Sequence, residues 1–420
     1  MQPIYKELID MWSAKNAVLP LFEGYYWLDK QIIKAFDHNG TLHKLYRITV
    51  NDDLSISYKK YPQKRDFQPE SWLETAMRIK PAFEIKEKKS IQLIQDTVDT
   101  HPEYSSFVLH STGKDSVVVQ HLCDMANRNI KTVFNNTTLD CADTYRIVNL
   151  NKDKWIITTP DIGFYQYIKK ENFIPTRFSR ACCSIFKEGN CINHFDNVDK
   201  AIWIMGVRND ESAKRSNRQD IEHNPKWGNR EWIGLLPIRK WTELEVWLYI
   251  ILNNLPLNPK YRKGYKRCGC HVACPYQSKS DWILDQYFYP KMYNRWHNIL
   301  EDDFIKNGKW CTLNCTIEEY HKYWNGGVVR EIPTREVIEE FMEYKGIDDF
   351  SLAEKYFNKK CKKCGRLIRS KDVIAMNLKM RSRTCSDFYC KKCFIKEAEI
   401  TKEEWDSYIS GFKNEGCVLF

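Results

Sequence analysis

The chain has 420 residues, 43% hydrophobic and 14% aromatic, a composition that supports packed cores and excludes wholesale disorder. Its 65 Lys and Arg against 55 Asp and Glu give a net charge of +10. No run approaches 18 apolar residues, which excludes a membrane-spanning helix, and the opening "MQPIYKELIDMWSAKN" lacks the basic-then-apolar order of a secretory signal, so the expected location is the cytoplasm.

In chain order, residues 1–88 form a leader. Its alternating stretch "GYYWLDKQIIKAFDHNGTLHKLYRITVNDDLSISYKKY", broken at Asn39-Gly40 and Asn51-Asp52, predicts a small β meander. Residues 89–290 alternate strand and helix, as a parallel sheet requires, with "SSFVLHS", "KTVFNNT" and "AIWIMGV" as strands and "DSVVVQHLCDMANRN" as a helix. Residues 291–355, rich in Trp, Tyr and charge, read as a helical extension, and 356–420 as a basic, cysteine-rich module with a tail. Sixteen cysteines are unusual for a cytoplasmic chain, where clustered thiols bind metal or do chemistry more often than they pair. Cys123, Cys141, Cys191, Cys311, Cys315 and Cys417 are scattered and read as small buried apolar residues.

Between strand and helix lies "STGKDS", residues 111–116. A Gly- and Ser-containing turn into a helix N-terminus aims amides and a positive dipole end at an anion. Gly113 allows close approach, and Ser111, Thr112 and Ser116 supply hydroxyls. Lys114 supplies charge, and Asp115 could cap the helix or hold Mg²⁺. The spacing is neither "GxxxxGK[ST]" nor "GxGxxG".

"STGKDS" resembles the "SGGKDS" loop of the N-type ATP pyrophosphatases (the PP-loop), with Thr112 in place of the more usual Gly. Downstream text resembles the phosphoadenosine phosphosulfate (PAPS) reductase-like branch: "TVFNNTTLDCADTYRIV", "PTRFSRACCSIFKEG", "GVRNDESAKRS", and "LLPIRKWTELEVWLYIILNN" followed by "LPLNPKYRKGYKRCGCHVACP". The resemblance implies an α/β fold with a parallel sheet, and an adenine nucleotide, ATP or PAPS, bound by 111–116 together with Gly206, Arg208, Glu211, Ser212 and Arg215. Lys114, Asp115 and Arg208 become the catalytic candidates. Arg177, Arg180 and Arg218 are further anion contacts, because guanidinium groups clamp phosphate or sulfate bidentately. Trp241 and Trp247 read as packing.

Cys182-Cys183 with Cys270-xxx-Cys274 is similar to the four-thiol pattern of the iron–sulfur members, implying a 4Fe-4S cluster. Those members have two residues between the second pair rather than three. Cys268 is an alternative partner for Cys274, His271 a weaker one, and zinc or unligated thiols stay open.

Cys361-xx-Cys364 and Cys390-xx-Cys393 make two knuckles suited to a closed tetrahedral zinc site, with Cys385 as a spare. So small a module is expected to fold on its metal. Residues 361–396 hold 11 Lys or Arg against 2 Asp or Glu, a balance of +9, which points to nucleic acid or to an acidic protein.

Two reactions fit the resemblance. One is ATP α,β cleavage with adenylation and thiolation of a nucleic acid, as in the DNA phosphorothioation pyrophosphatase of this family, drawing on a sulfur-donor protein. The other is thiol-dependent PAPS or adenosine phosphosulfate (APS) reduction with a reductant protein. That chemistry uses a tail "ECGLH", absent here, although "NEGCVLF" offers Cys417. A non-catalytic nucleotide- or nucleic-acid-binding adaptor is the third reading.

Overall fold

A computed structural model describes residues 1–15, 19–51, 53, 55–177, 181–223, 228, 230–307, 317, 320, 321, 324, 339, 359–368, 370–382, 385, 387–417 and 419. Contacts divide the chain into two compact units, Met1–Pro175 with Ser179–Tyr293, and Thr176–Phe178 with Asn294–Phe420.

The first unit opens with an antiparallel sheet in sequence order: β1 (Gln2–Pro3), β2 (Trp27–Asp29), β3 (Ile32–Phe36), β4 (Leu42–Val50) and β5 (Ile56–Lys60). The turn between β3 and β4 is held by Asp37, whose carboxylate accepts from the amides of Asn39 and Thr41 at 3.0 and 2.8 Å. Ser71 and Glu74 then form a reciprocal capping box that starts the long helix Trp72–Asp99.

That helix ties the N-terminal sheet to the rest. Near its start, Trp72 packs edge-on against Tyr5 at 5.2 Å and lies 5.9 Å from Trp27. Further along, Phe83 stacks on Trp241 at 6.4 Å, and the Ser90 hydroxyl donates to the Pro237 carbonyl at 2.7 Å. One core therefore runs from Trp27 and Phe36 through Phe83 and Ile94 to Val118, Ile204 and Leu235.

The second sheet contains β6 (Ser105–Leu109), β7 (Ile130–Asn135), β8 (Ile156–Thr158), β9 (Lys200–Ile204), β10 (Ile221–Glu222) and β11 (Glu231–Leu235), in the order β10-β11-β9-β6-β7-β8. All pairings are parallel except that of the β10 edge. The three expected strands become β6, β7 and β9. Phe107, Val108, Val133, Phe134 and residues 201–204 are buried on both faces of these strands, as in a sheet covered on both sides. The chain leaves β6 on one side towards β7 and β8, then returns to its other side as β9. The strand order thus reverses between β6 and β9, and such a switch point opens a crevice at the carboxyl ends of the strands.

In the second unit the helix Pro290–Lys306 is described, while most of the expected helical extension to 355 lies outside the described residues. Further on come a ribbon of β12 (Lys359–Lys360) and β13 (Leu367–Ile368) and the helices Lys371–Met380, Lys391–Glu397 and Lys402–Asn414. Beside its thiols this module has an apolar core. Ile374, Met376, Phe388, Phe394 and Trp405 are buried together, because the C-terminal helix brings Trp405 onto Phe394 at 5.1 Å.

Candidate nucleotide site

The loop Ser111–Ser116 sits at the carboxyl end of β6, at the switch point. Ser116 closes it, donating to the Gly113 carbonyl at 2.8 Å and accepting from the Ser111 amide at 3.2 Å. Among the described residues no acceptor reaches the amides of Gly113, Asp115 and Ser116, which leaves three donors around the helix N-terminus. A Cβ on Gly113 would stand 3.1 Å from the Ser111 hydroxyl and 3.4 Å from the Tyr261 hydroxyl.

Thr112 has φ +58, a left-handed conformation that costs a β-branched residue on the order of 1–3 kcal/mol. This explains why glycine is usual there. The loop offsets the cost with buried bonds. Asn258 Nδ2 donates to the Thr112 hydroxyl at 2.8 Å and to Thr144 at 3.0 Å, and the Thr112 amide donates to His110 Nδ1 at 3.2 Å. The Thr112 hydroxyl is thereby used inside the protein, not offered to a ligand. Burial pushes His110 down to about 4, so its ring is neutral near pH 7 and Nδ1 is free to accept.

Lys114 is buried, its ammonium 2.9 Å from Asp115 Oδ2, 3.8 Å from Glu243 and 6.0 Å from the Trp247 ring. The other Asp115 oxygen accepts from Arg208 Nε at 2.6 Å. Burial alone would raise the Asp115 carboxyl, but Lys114 and Arg208 outweigh it and hold it below its ordinary value. Arg208, 2% exposed, also bonds Asp210, and its amide donates to Glu211 at 2.9 Å. Both segments meet because Gly206 has no side chain: a Cβ there would lie 2.9 Å from the Asp115 carbonyl carbon and 3.0 Å from its oxygen.

The structure thus brings Lys114, Asp115, Gly206, Arg208 and Glu211 together. Arg215 is paired with Glu211, and Arg218 with Glu222, their guanidinium groups more exposed than that of Arg208. Ser212 is exposed. Arg177 belongs to the second compact unit, and Arg180 lies outside the described residues. Trp241 and Trp247 are buried packing residues, as read.

Cys182 is held well above its ordinary value by hydrogen bonding to Cys183, then by burial and by Cys270 and Cys274. Burial pushes Cys270 up to about 11, with Asp140, Cys274 and Cys183 adding to the effect. These four thiols are thus near enough to act on one another electrostatically, although among the described residues no three of them lie as close as ligands of a single ion. Cys268 turns elsewhere, towards Tyr261 and Cys141, and His271 Nε2 sits 3.0 Å from Asp285. In the second unit Cys361, Cys364, Cys390 and Cys393 have their sulfurs within 4.8 Å of one another, a geometry that suits a metal ion. Cys417 packs half-buried against the core of that unit, and Cys385 lies 3.7 Å from the Asn377 carbonyl.

A parallel-sheet domain with an anion loop at its switch point is a nucleotide-binding class, and the comparisons narrow it. Residues 105–275 match the phosphoadenosine phosphosulfate reductase domain. The chain is similar to an uncharacterized protein of Methanocaldococcus jannaschii, 27% identical over 63% of this chain and 66% of that one. A second protein from the same organism is 28% identical over 53% of this chain and 49% of its own length. The adenosine 5'-phosphosulfate reductase of Bacillus mycoides is 26% identical over 48% of this chain and 85% of its own. The crystal structure of PAPS reductase from Candida auris, a phosphate complex, covers 47% of this chain and 94% of its own, at 17% identity and a TM-score of 0.36. Over residues 105–275 the α/β domain is thus similar to the PAPS reductase-like family. The match covers about two thirds of one archaeal relative and about half of the other.

Sequence reading missed the loop's supports. Asn258 and Tyr261 stand in "LPLNPKY", and the Tyr261 hydroxyl accepts from the Lys114 amide at 3.1 Å. Their type and spacing carry no signal of a contact with a loop 147 residues away.

Two outcomes are expected. Gly206→Ala forces the segment carrying Arg208 from the loop helix, lowering stability by about 1–3 kcal/mol and nucleotide affinity with it, as read by urea unfolding and calorimetry. Because the His110 value is depressed when folded, its contribution is full above 6.5 and lost as pH falls towards 4, at most about 3 kcal/mol. Urea unfolding at pH 7 and pH 4.5 should show that loss in the native chain and a smaller one in His110→Asn.

Proposed function

We propose that this chain binds an adenine nucleotide, ATP or PAPS/APS, at Ser111–Ser116 and uses it in sulfur transfer or reduction. The observation that carries this reading is the buried Lys114–Asp115–Arg208 unit beneath three unsatisfied loop amides, in a domain similar to the PAPS reductase-like family. The amides receive the anion first, because Lys114 and Arg208 are already matched by carboxylates. The two cations then stabilise charge that builds up on phosphate or sulfate. Both Asp115 oxygens are engaged, so magnesium arriving with ATP is held by the nucleotide and water rather than by Asp115.

With ATP, an acceptor oxygen attacks the α-phosphorus, the α–β bond breaks and pyrophosphate leaves. Sulfur from a donor protein then displaces AMP from the adenylated acceptor. The basic composition of 361–396 suits a nucleic-acid acceptor, although Lys362, Lys363 and Lys391 are paired with Asp387, Glu397 and Asp406. A second reading is favoured by the similarity to the Bacillus reductases. There the Cys417 thiolate attacks the sulfur of APS or PAPS, the S–O bond breaks and the adenosine phosphate leaves. A dithiol protein then releases sulfite from the S-sulfocysteine and is oxidised to a disulfide.

Cys182, Cys183, Cys270 and Cys274 suit a four-iron cluster, which binds each thiolate on a separate iron and so accepts a wider spread than one ion does. Cys361, Cys364, Cys390 and Cys393 suit structural zinc.

The test is product analysis on anaerobically purified protein. With ATP and nucleic acid the first form predicts pyrophosphate release that survives Cys417→Ser. With APS or PAPS and a dithiol the second predicts sulfite release that Cys417→Ser abolishes. Neither product from either mixture would overturn the reading.

A further inference from the structure

We propose a further metal site, for a divalent first-row transition ion such as zinc or ferrous iron, formed by His297, Glu301 and His321. His297 and Glu301 are one turn apart on the helix Pro290–Lys306, so they share a face. Each of the three residues offers a ligand atom within 4.8 Å of the other two. The two imidazole rings are 3.6 Å apart between centroids, inclined at 49°.

The neighbouring contacts hold this arrangement without any ion. Trp296, fully buried, packs edge-on against Trp324 at 5.0 Å. The Tyr320 hydroxyl donates to the Asp303 carboxylate, and the Tyr320 ring lies 5.6 Å from Phe304. His321 is thus fixed against the helix by contacts on both sides of it in the chain, as a preorganised ligand must be. Two imidazoles and one carboxylate select zinc or iron over magnesium and calcium, which take all-oxygen shells. Three protein ligands, one of them the exposed Glu301, leave a coordination position open to solvent, unlike the four-thiolate set of Cys361, Cys364, Cys390 and Cys393.

The test uses the full chain, stripped of metal under reducing conditions and titrated with Co²⁺. The native protein should take up one equivalent with intense thiolate charge-transfer absorption and another with only weak ligand-field bands. Glu301→Gln should weaken the second equivalent roughly tenfold or more, and His321→Ala should abolish it, leaving the thiolate band unchanged as the control for folding. Since Glu301 is exposed, its replacement leaves the fold intact. The site is overturned when the native chain binds only the thiolate equivalent, or when both variants bind the second as the native chain does.

Discussion

The site depends on one buried contact. Asp115 lies between Lys114 and Arg208, and it brings together two chain segments 93 residues apart. Burying three charged groups is costly unless each is matched, and here every charge has a partner within hydrogen-bonding distance or in an ion pair. Gly206 makes the approach sterically possible, and the reversal of strand order between β6 and β9 brings the two strand ends side by side. The cations are thereby fixed before any nucleotide arrives, which is what electrostatic preorganisation requires.

The loop itself is supported from the segment 258–268. Asn258 holds the hydroxyl of the strained Thr112, and Tyr261 holds the Lys114 amide while interacting with Cys268. Cys268 precedes Cys270 and Cys274 by only a few residues. The supports of the loop and two of the four thiols, Cys270 and Cys274, therefore stand on one short stretch of chain.

Some of this was legible in the sequence and some was not. The three strands stood out because a parallel strand covered on both faces is a short apolar run, and the loop because its polar hexamer interrupts such a run. The C-terminal thiols were legible from spacing alone, since each Cys-xx-Cys closes locally. Contacts that depend on tertiary structure left no mark. "LPLNPKY" reads as a turn, whatever Asn258 and Tyr261 touch. The alternation of residues 27–60 announces a sheet, but not that Trp27 and Phe36 share a core with Val118. Trp405 in the last helix looks like any amphipathic position until its burial against Phe394 makes the C-terminal module larger than its thiol framework. His297 and His321 are 24 residues apart in a segment with no recognisable motif, and the helix face with the Trp296–Trp324 and Tyr320–Asp303 contacts brings them together.

The central claim is that a nucleotide's anionic group binds where Lys114 meets the loop amides. Calorimetric titration of ATP and of PAPS into the native chain and into Lys114→Met tests it most directly. Met keeps an unbranched apolar stem and removes the charge, which lies 6.0 Å from the Trp247 ring. The account predicts that one of the nucleotides binds the native chain and that Lys114→Met, still folded, binds it at least tenfold more weakly, a change of about 1.4 kcal/mol or more. Equal affinity in the two proteins would contradict it.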